Sequence, residues 1–259
     1  MLYLLILLQL ALAVAVLGEL GLILITISAV LPFPVYVWAC ASEPGGSYHT
    51  LEREQMPWLY DGVASMAKKA GIRMPKIYIL EDYIPNAYSF KDTIVFSLGL
   101  FEVLGEEEIL AVAAHEIGHI KNGDTKLFPI IAYSRYMMML LMVMTILVAK
   151  NSPFSLISLI TYALYEVSRA EYLKKREFGA DHTALSLLDV PLSLKHALEE
   201  LKYYEDLRGK VKMNALPSIE PSIERRQGAQ IMETHPSYDE RILRILVEIN
   251  NESSQNRLK

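Results

Sequence analysis

Residues 1–41 carry one charged side chain, Glu19, in a run that is otherwise almost wholly apolar from Met1 to Ala41. As a single helix this run would be about 60 Å long, roughly twice the hydrocarbon thickness of a bilayer. Gly18 and Gly21 bracket Glu19–Leu20, so the expected form is two spans, about 2–17 and 21–40, joined by a tight turn. A cleaved signal peptide is the rival reading, because Ala39–Cys40–Ala41 resembles a small-residue cleavage site. No Lys or Arg precedes the run, however, and it is too long for a leader's apolar segment.

A second apolar region covers residues 127–168. Tyr136–Val148 is nearly pure Met, Leu, Val and Ile, Lys150–Asn151–Ser152–Pro153 turns the chain, and Phe154–Val167 is apolar again. A helical hairpin is expected, inserted in the membrane although each arm falls short of the roughly 20 residues of a full span. These two regions explain a mean hydropathy of +0.24 and 52% hydrophobic residues in a chain that is also 21% charged. Lys121, Lys126, Arg169, Lys174, Lys175 and Arg176 flank the hairpin, whereas the outer turns show only Glu19 and Lys150. The bulk of the protein is therefore expected on the cytoplasmic side of a cell membrane that the chain crosses several times. A net charge of −5 offers no broad cationic surface, which argues against nucleic acid as a partner. The single cysteine, Cys40, makes no internal disulfide possible.

Between the apolar regions lies His115–Glu116–Ile117–Gly118–His119. On a helix, two histidines four residues apart share a face and can bind one zinc ion, with Glu116 beside them. That arrangement suits a metallopeptidase, in which the carboxylate takes a proton from water activated by the metal. Glu106–Glu107–Glu108 marks the start of this helix, where negative charge is favourable, and Asn122–Gly123 ends it.

The rest of the chain reads as mainly α with a small β-sheet, an α+β domain. A helix is expected over 51–70, a strand at 76–80, and a strand pair, 86–90 and 93–97, turned at Lys91–Asp92. An exposed edge of that sheet would pair with an extended peptide. After the hairpin come helices over 171–188 and 192–207, a long loop over 209–234, and a last helix opened by His235–Pro236. Four segments follow: an N-terminal transmembrane pair (1–41), the first part of the catalytic domain (42–126), the hairpin (127–168) and the second part of the catalytic domain (169–259).

A catalytic zinc site wants three protein ligands and an open position. His49, His182, His196 and His235 are candidates for the third, as are several carboxylates. Glu177 is best placed by spacing, because Asp181 lies one helical turn beyond it and would orient a zinc histidine from behind. Glu171 competes, but the residue four ahead of it is Lys175, which cannot accept from an imidazole.

Gly71–Pro75, Pro85–Tyr88, Ser97–Leu100, His115–Asp124, Glu177–Asp181 and Thr234–Pro236 with Arg241–Ile242 occur in that order. This series resembles the HtpX-type membrane zinc metallopeptidases, relatives of the CaaX prenyl endopeptidases. The resemblance implies a zincin-like domain holding one zinc ion per chain on His115, His119 and Glu177, with Glu116 as general base. It further implies that Asn86, Ala87 and Tyr88 pair with the substrate backbone. His235 and Arg241 would sit near the cleft, as oxyanion stabilisers or as structural anchors. The implied substrates are polypeptides, above all misfolded or damaged membrane proteins. Tyr88–Ser89 departs from the family's more usual Phe–Ala, and the second hairpin is short. A membrane-bound regulator with a zinc site but no proteolysis is the alternative; the retained Glu116 and the lack of a sensing domain weigh against it. A transporter fits worse, since the HExxH helix lies outside the apolar segments.

Overall fold

The computed structural model describes residues 1–30, 47–215 and 236–256. They form a mainly helical protein with one small mixed sheet. Two compact units emerge, one from the described parts of Met1–Glu43 with Lys126–Lys175, the other from those of Pro44–Thr125, Arg176–Gln227 and Pro236–Lys259.

In the first unit, α1 (Leu2–Leu17) and α2 (Glu19–Val30) pack against each other. The turn between them is Gly18 alone, at φ +57°, so Glu19 opens α2 rather than sitting in a loop. A Cβ on Gly21 would stand 2.6 Å from the Ala13 carbonyl oxygen, so this glycine is what lets the two backbones touch. The end of the expected second span lies outside the described residues. Leu2 and Leu5 cluster with Met138 and Tyr165 from the hairpin region. Gln9, buried in an otherwise apolar helix, donates from Nε2 to Ser158 Oγ at 2.7 Å.

The hairpin is longer than its composition suggests. Helix α6 (Asp124–Ala149) runs through Pro129, and α7 (Pro153–Leu187) continues without a break into the stretch expected as a separate helix. Of the described helices, α6 alone is long and apolar enough to cross a membrane; α1 and α2 are apolar but shorter. Lys150 turns the chain with φ +45°. Glu166, buried on α7, receives Arg135 Nε from α6 at 3.2 Å and Arg169 Nη2 at 3.0 Å.

The second unit is built on a four-stranded sheet of order β1-β2-β4-β3. Strands β2 (Lys76–Leu80), β3 (Ala87–Phe90) and β4 (Thr93–Ser97) match the sequence pattern, with Lys91 at φ +50° in the turn. The parallel pairing of β2 with β4 and the short edge strand β1 (Tyr48–Thr50) left no signal in the pattern. Helix α3 (Pro57–Ala70) starts later than expected, because proline favours the first helical position and holds Met56 extended. Ile77, Ile79, Ile94 and Phe96 on one face of the sheet share a core with α3, the short α4 (Leu98–Val103) and α5 (Glu106–Lys121). Helices α8 (Leu192–Ala215) and α9 (Tyr238–Asn256) close that core with Leu194, Leu198 and Ile245. Residues 209–215 are thus helical; the remainder of the expected loop lies outside the described residues.

Candidate active site

Helix α5 presents its metal-capable histidines inward because Ile109, Ala113 and Ile117 anchor it in the core. Gly118, between the histidines, meets α7 backbone to backbone. A Cβ there would lie 2.8 Å from the Ala180 carbonyl oxygen and 3.0 Å from its Cα. This close approach brings the face of α7 that carries Glu177 and Asp181 onto the histidines. His115, Glu116, His119, Glu177 and Asp181 are each between 4 and 8% exposed.

His115 Nε2 and His119 Nε2 stand 3.1 Å apart, and the two Glu177 carboxylate oxygens lie 3.7 Å away, one from each. Among the described residues these three form the one group arranged to hold a metal ion, with ligand atoms within 4.8 Å of one another. Tetrahedral ligands about 2.1 Å from a zinc ion lie roughly 3.4 Å apart, and the observed separations bracket that value. The donor chemistry agrees. His119 Nδ1 sits 2.9 Å from Asp124 Oδ2, so its proton belongs there and its Nε2 lone pair faces Glu177, an acceptor-only group. His115 Nδ1 is 2.9 Å from Asp181 Oδ1 and 3.2 Å from Arg241 Nη2. With the proton kept on Nδ1 and donated to the anionic Asp181, His115 is in the tautomer in which both Nε2 atoms can bind one cation.

The electrostatics point the same way. Burial and the Arg241 guanidinium push the His115 imidazole down, but the Asp181 and Glu177 carboxylates outweigh them and hold it up at about 9. The site is built for positive charge at the imidazole nitrogens, and a cation there does the electrostatic work of that proton. Burial pushes the Asp181 carboxyl up, yet Arg241 and His115 bring it down to about 2, so it stays ionised.

Arg241 comes from α9, whose first turn is capped by Ser237 Oγ accepting from the Glu240 N–H at 3.2 Å. It grips Asp181 with two bonds, from Nε at 2.9 Å and Nη2 at 2.6 Å. The second residue expected near the cleft, His235, lies outside the described residues. The rival ligands stand elsewhere: His49 pairs with Glu81, His182 with Glu248 and Glu171 with Lys175, while His196 is exposed.

The sequence pattern assigns neither Asp124 nor Arg176 a role beside the histidines. Gly123, at φ +74°, reverses the chain after α5 and swings Asp124, the first residue of α6, back beneath His119. Asp124 is fully buried, and Arg176 donates to its other oxygen and to the Asn122 carbonyl. The signal was a carboxylate five residues past the second histidine, just after a glycine turn.

Strand β3 is a sheet edge and packs beside α5. The Ser97 N–H donates to the Asn86 carbonyl at 3.0 Å, so Asn86 and, by antiparallel alternation, Tyr88 direct their backbone groups toward β4. Ala87 and Ser89 direct theirs outward. Of the three residues expected to pair with substrate, Ala87 alone offers free backbone groups.

The sequence matches the model of peptidase family M48 over residues 53–249. A protease HtpX homolog of Dictyoglomus turgidum is 30% identical, the match covering 88% of this chain and 82% of that protein. One of Persephonella marina is 32% identical over 74% of this chain and 75% of its own length. One of Listeria monocytogenes reaches 39% over 41% of this chain and 38% of its own. The match takes in the histidine helix, the Glu177 helix and Arg241 alike, and the chain belongs to peptidase family M48, among its HtpX-like metallopeptidases.

Proposed function

We propose that this protein is a membrane-embedded zinc endopeptidase with a zincin-like catalytic domain, acting on polypeptides and in particular on misfolded or damaged membrane proteins. The observation that carries the reading is the convergence of His115, His119 and Glu177, with Asp124 and Asp181 behind the two imidazoles. A zinc ion held by those three residues would supply a Lewis acid that polarises the scissile carbonyl and acidifies water. Glu116, next to His115 on α5, takes the proton from the attacking water and delivers it to the leaving amine nitrogen. Asp181 and Asp124 keep each imidazole in the tautomer that binds through Nε2, and Arg241 holds Asp181 ionised. The outward backbone groups of Ala87 and Ser89 add the substrate as an extended strand beside β3.

Multi-pass insertion and a cytoplasmic catalytic domain belong to the same proposal, with 1–41 and 127–168 as membrane segments between which the catalytic domain, 42–126 and 169–259, is divided. The apolar length of α6 supports it, as do the exposed Leu4, Leu7, Ile23, Ile27, Leu147, Leu156 and Ile160 on α1, α2, α6 and α7. So does the clustering of Lys and Arg at the hairpin's base.

The test is zinc content and casein cleavage of the detergent-purified chain and its Glu116→Gln variant, with a chelator control. About one zinc per chain in both, with cleavage by wild type only, is the expected result. Cleavage by Glu116→Gln at the wild-type rate would remove Glu116 from the mechanism, and no zinc in either would undo the ligand set.

A further inference from the structure

Immediately before β3 the chain holds two large apolar side chains in the open, Tyr83 at 68% and Ile84 at 41% exposure. The loop that carries them is firmly held. The Ile84 N–H donates to Asp82 Oδ1 at 2.9 Å, and the Gly99 N–H donates to the Asp82 carbonyl at 2.9 Å. Ser97 Oγ donates to the Ile84 carbonyl and accepts from the Asn86 N–H, each at 2.8 Å. A Cβ on Gly99 would lie 2.3 Å from the Tyr83 carbonyl oxygen, so the start of α4 is pressed directly onto the loop backbone. Apolar groups presented this way pay little ordering entropy when they bind.

Single exposed apolar residues are ordinary. These two differ in their continuity with the free edge of β3. On the peptidase reading, on which this inference rests, an extended peptide pairs with the outward groups of Ser89 and Ala87. Beyond Ala87, back to Ile84, the backbone has no N–H left to donate to it. The N–H and carbonyl of Asn86 are taken by Ser97, Pro85 has no N–H, and the N–H and carbonyl of Ile84 are taken by Asp82 and Ser97. Regular strand addition, which alternates donors and acceptors, therefore breaks off past Ala87, and further recognition on that side falls mainly to side chains.

We propose that Tyr83 and Ile84 form the wall of a substrate subsite that selects a large apolar side chain. A peptide advancing about 3.3 Å per residue brings the side chains roughly two to four positions beyond the partner of Ala87 alongside this pair. The subsite thus reads one position at a fixed distance from the scissile bond, on one side only. Apolar segments of membrane proteins supply such residues in abundance, and polar surface loops do not.

The test uses the detergent-purified, zinc-loaded full chain and a mixed peptide library, with cleavage products identified by mass spectrometry. Wild type, Tyr83→Ser/Ile84→Ser and Tyr83→Phe/Ile84→Leu are compared. Wild type is expected to favour Leu, Ile, Phe or Met at one position. The serine variant should reduce the apolar-to-polar ratio of kcat/KM there about tenfold or more, and the Phe/Leu variant should keep it. An unchanged ratio in the serine variant, or an equal loss on every peptide, overturns the inference alone. Failure of wild type to cleave any peptide overturns the peptidase reading and takes this subsite with it.

Discussion

Asp124→Asn isolates the least expected element of the site. Its carboxylate is fully buried and serves two donors, His119 through Nδ1 at 2.9 Å and the Arg176 guanidinium through Nε. Asparagine keeps the shape and removes the charge, so the ring of His119 loses a charge-assisted bond and Arg176 loses its counter-ion. A hydrogen bond to a charged group contributes roughly 1.5–3 kcal/mol. At about 1.4 kcal/mol per tenfold, that is a 10- to 100-fold loss of zinc affinity. Competition with a chromophoric chelator on the apo protein measures it directly, independently of turnover. Arg176→Gln should weaken zinc binding less, and in the Asp124→Asn background it should add little, because the two act on His119 through one contact. Asp189→Asn is the control, since its pair with Lys69 is exposed and lies apart from the ligand group. Zinc affinity within twofold of wild type in a normally folded Asp124→Asn protein would refute the orienting role.

Gly118→Ala places a methyl group against the Ala180 backbone, which cannot yield as a side chain can. A loss of about 1–3 kcal/mol in stability is expected, read as a lower Tm, together with reduced zinc content because α7 is pushed off α5. Saturating zinc at about a thousand times Kd should stabilise the wild-type fold by about 4 kcal/mol; chelation should therefore lower its Tm and leave that of Glu177→Ala almost unmoved. With Cys40 replaced by serine, a membrane-impermeant maleimide applied outside intact cells should label Lys150→Cys and spare Glu107→Cys. The reverse pattern would invert the proposed topology.

The histidine-bearing helix was legible because every local cue agreed: acidic first turn, apolar face, paired histidines, glycine stop. Glu177 and Asp181 were legible for the same reason, as carboxylates one turn apart. Asp124 and Arg176 were not, because their partnership depends on a reversal at Gly123 and a contact between residues 52 apart in the chain. Arg176 looks in sequence like one more solvated charge beside Lys175. The strand segments β2, β3 and β4 follow alternation, but nothing local encodes that β2 pairs with β4 in parallel and leaves β3 at the edge. Non-local pairing has no short-range signature. The length of the hairpin was underestimated for a related reason. Asp124, Pro129 and Arg135 interrupt the composition of α6 without interrupting its backbone, and α7 passes from apolar to charged residues in mid-helix.

The division of the proposed metal ligands along the chain has a consequence in time. His115 and His119 are synthesised before α6 and most of α7, and Glu177 only after them. A ribosome adding about 5–20 residues per second needs several seconds to deliver the missing carboxylate. Until then the two imidazoles lack their third partner, and Asp181 and Arg241 come later still. A nascent copy therefore has no complete metal centre while the hairpin is being made, and a truncation within that interval yields a chain with no hydrolytic centre to turn on its neighbours.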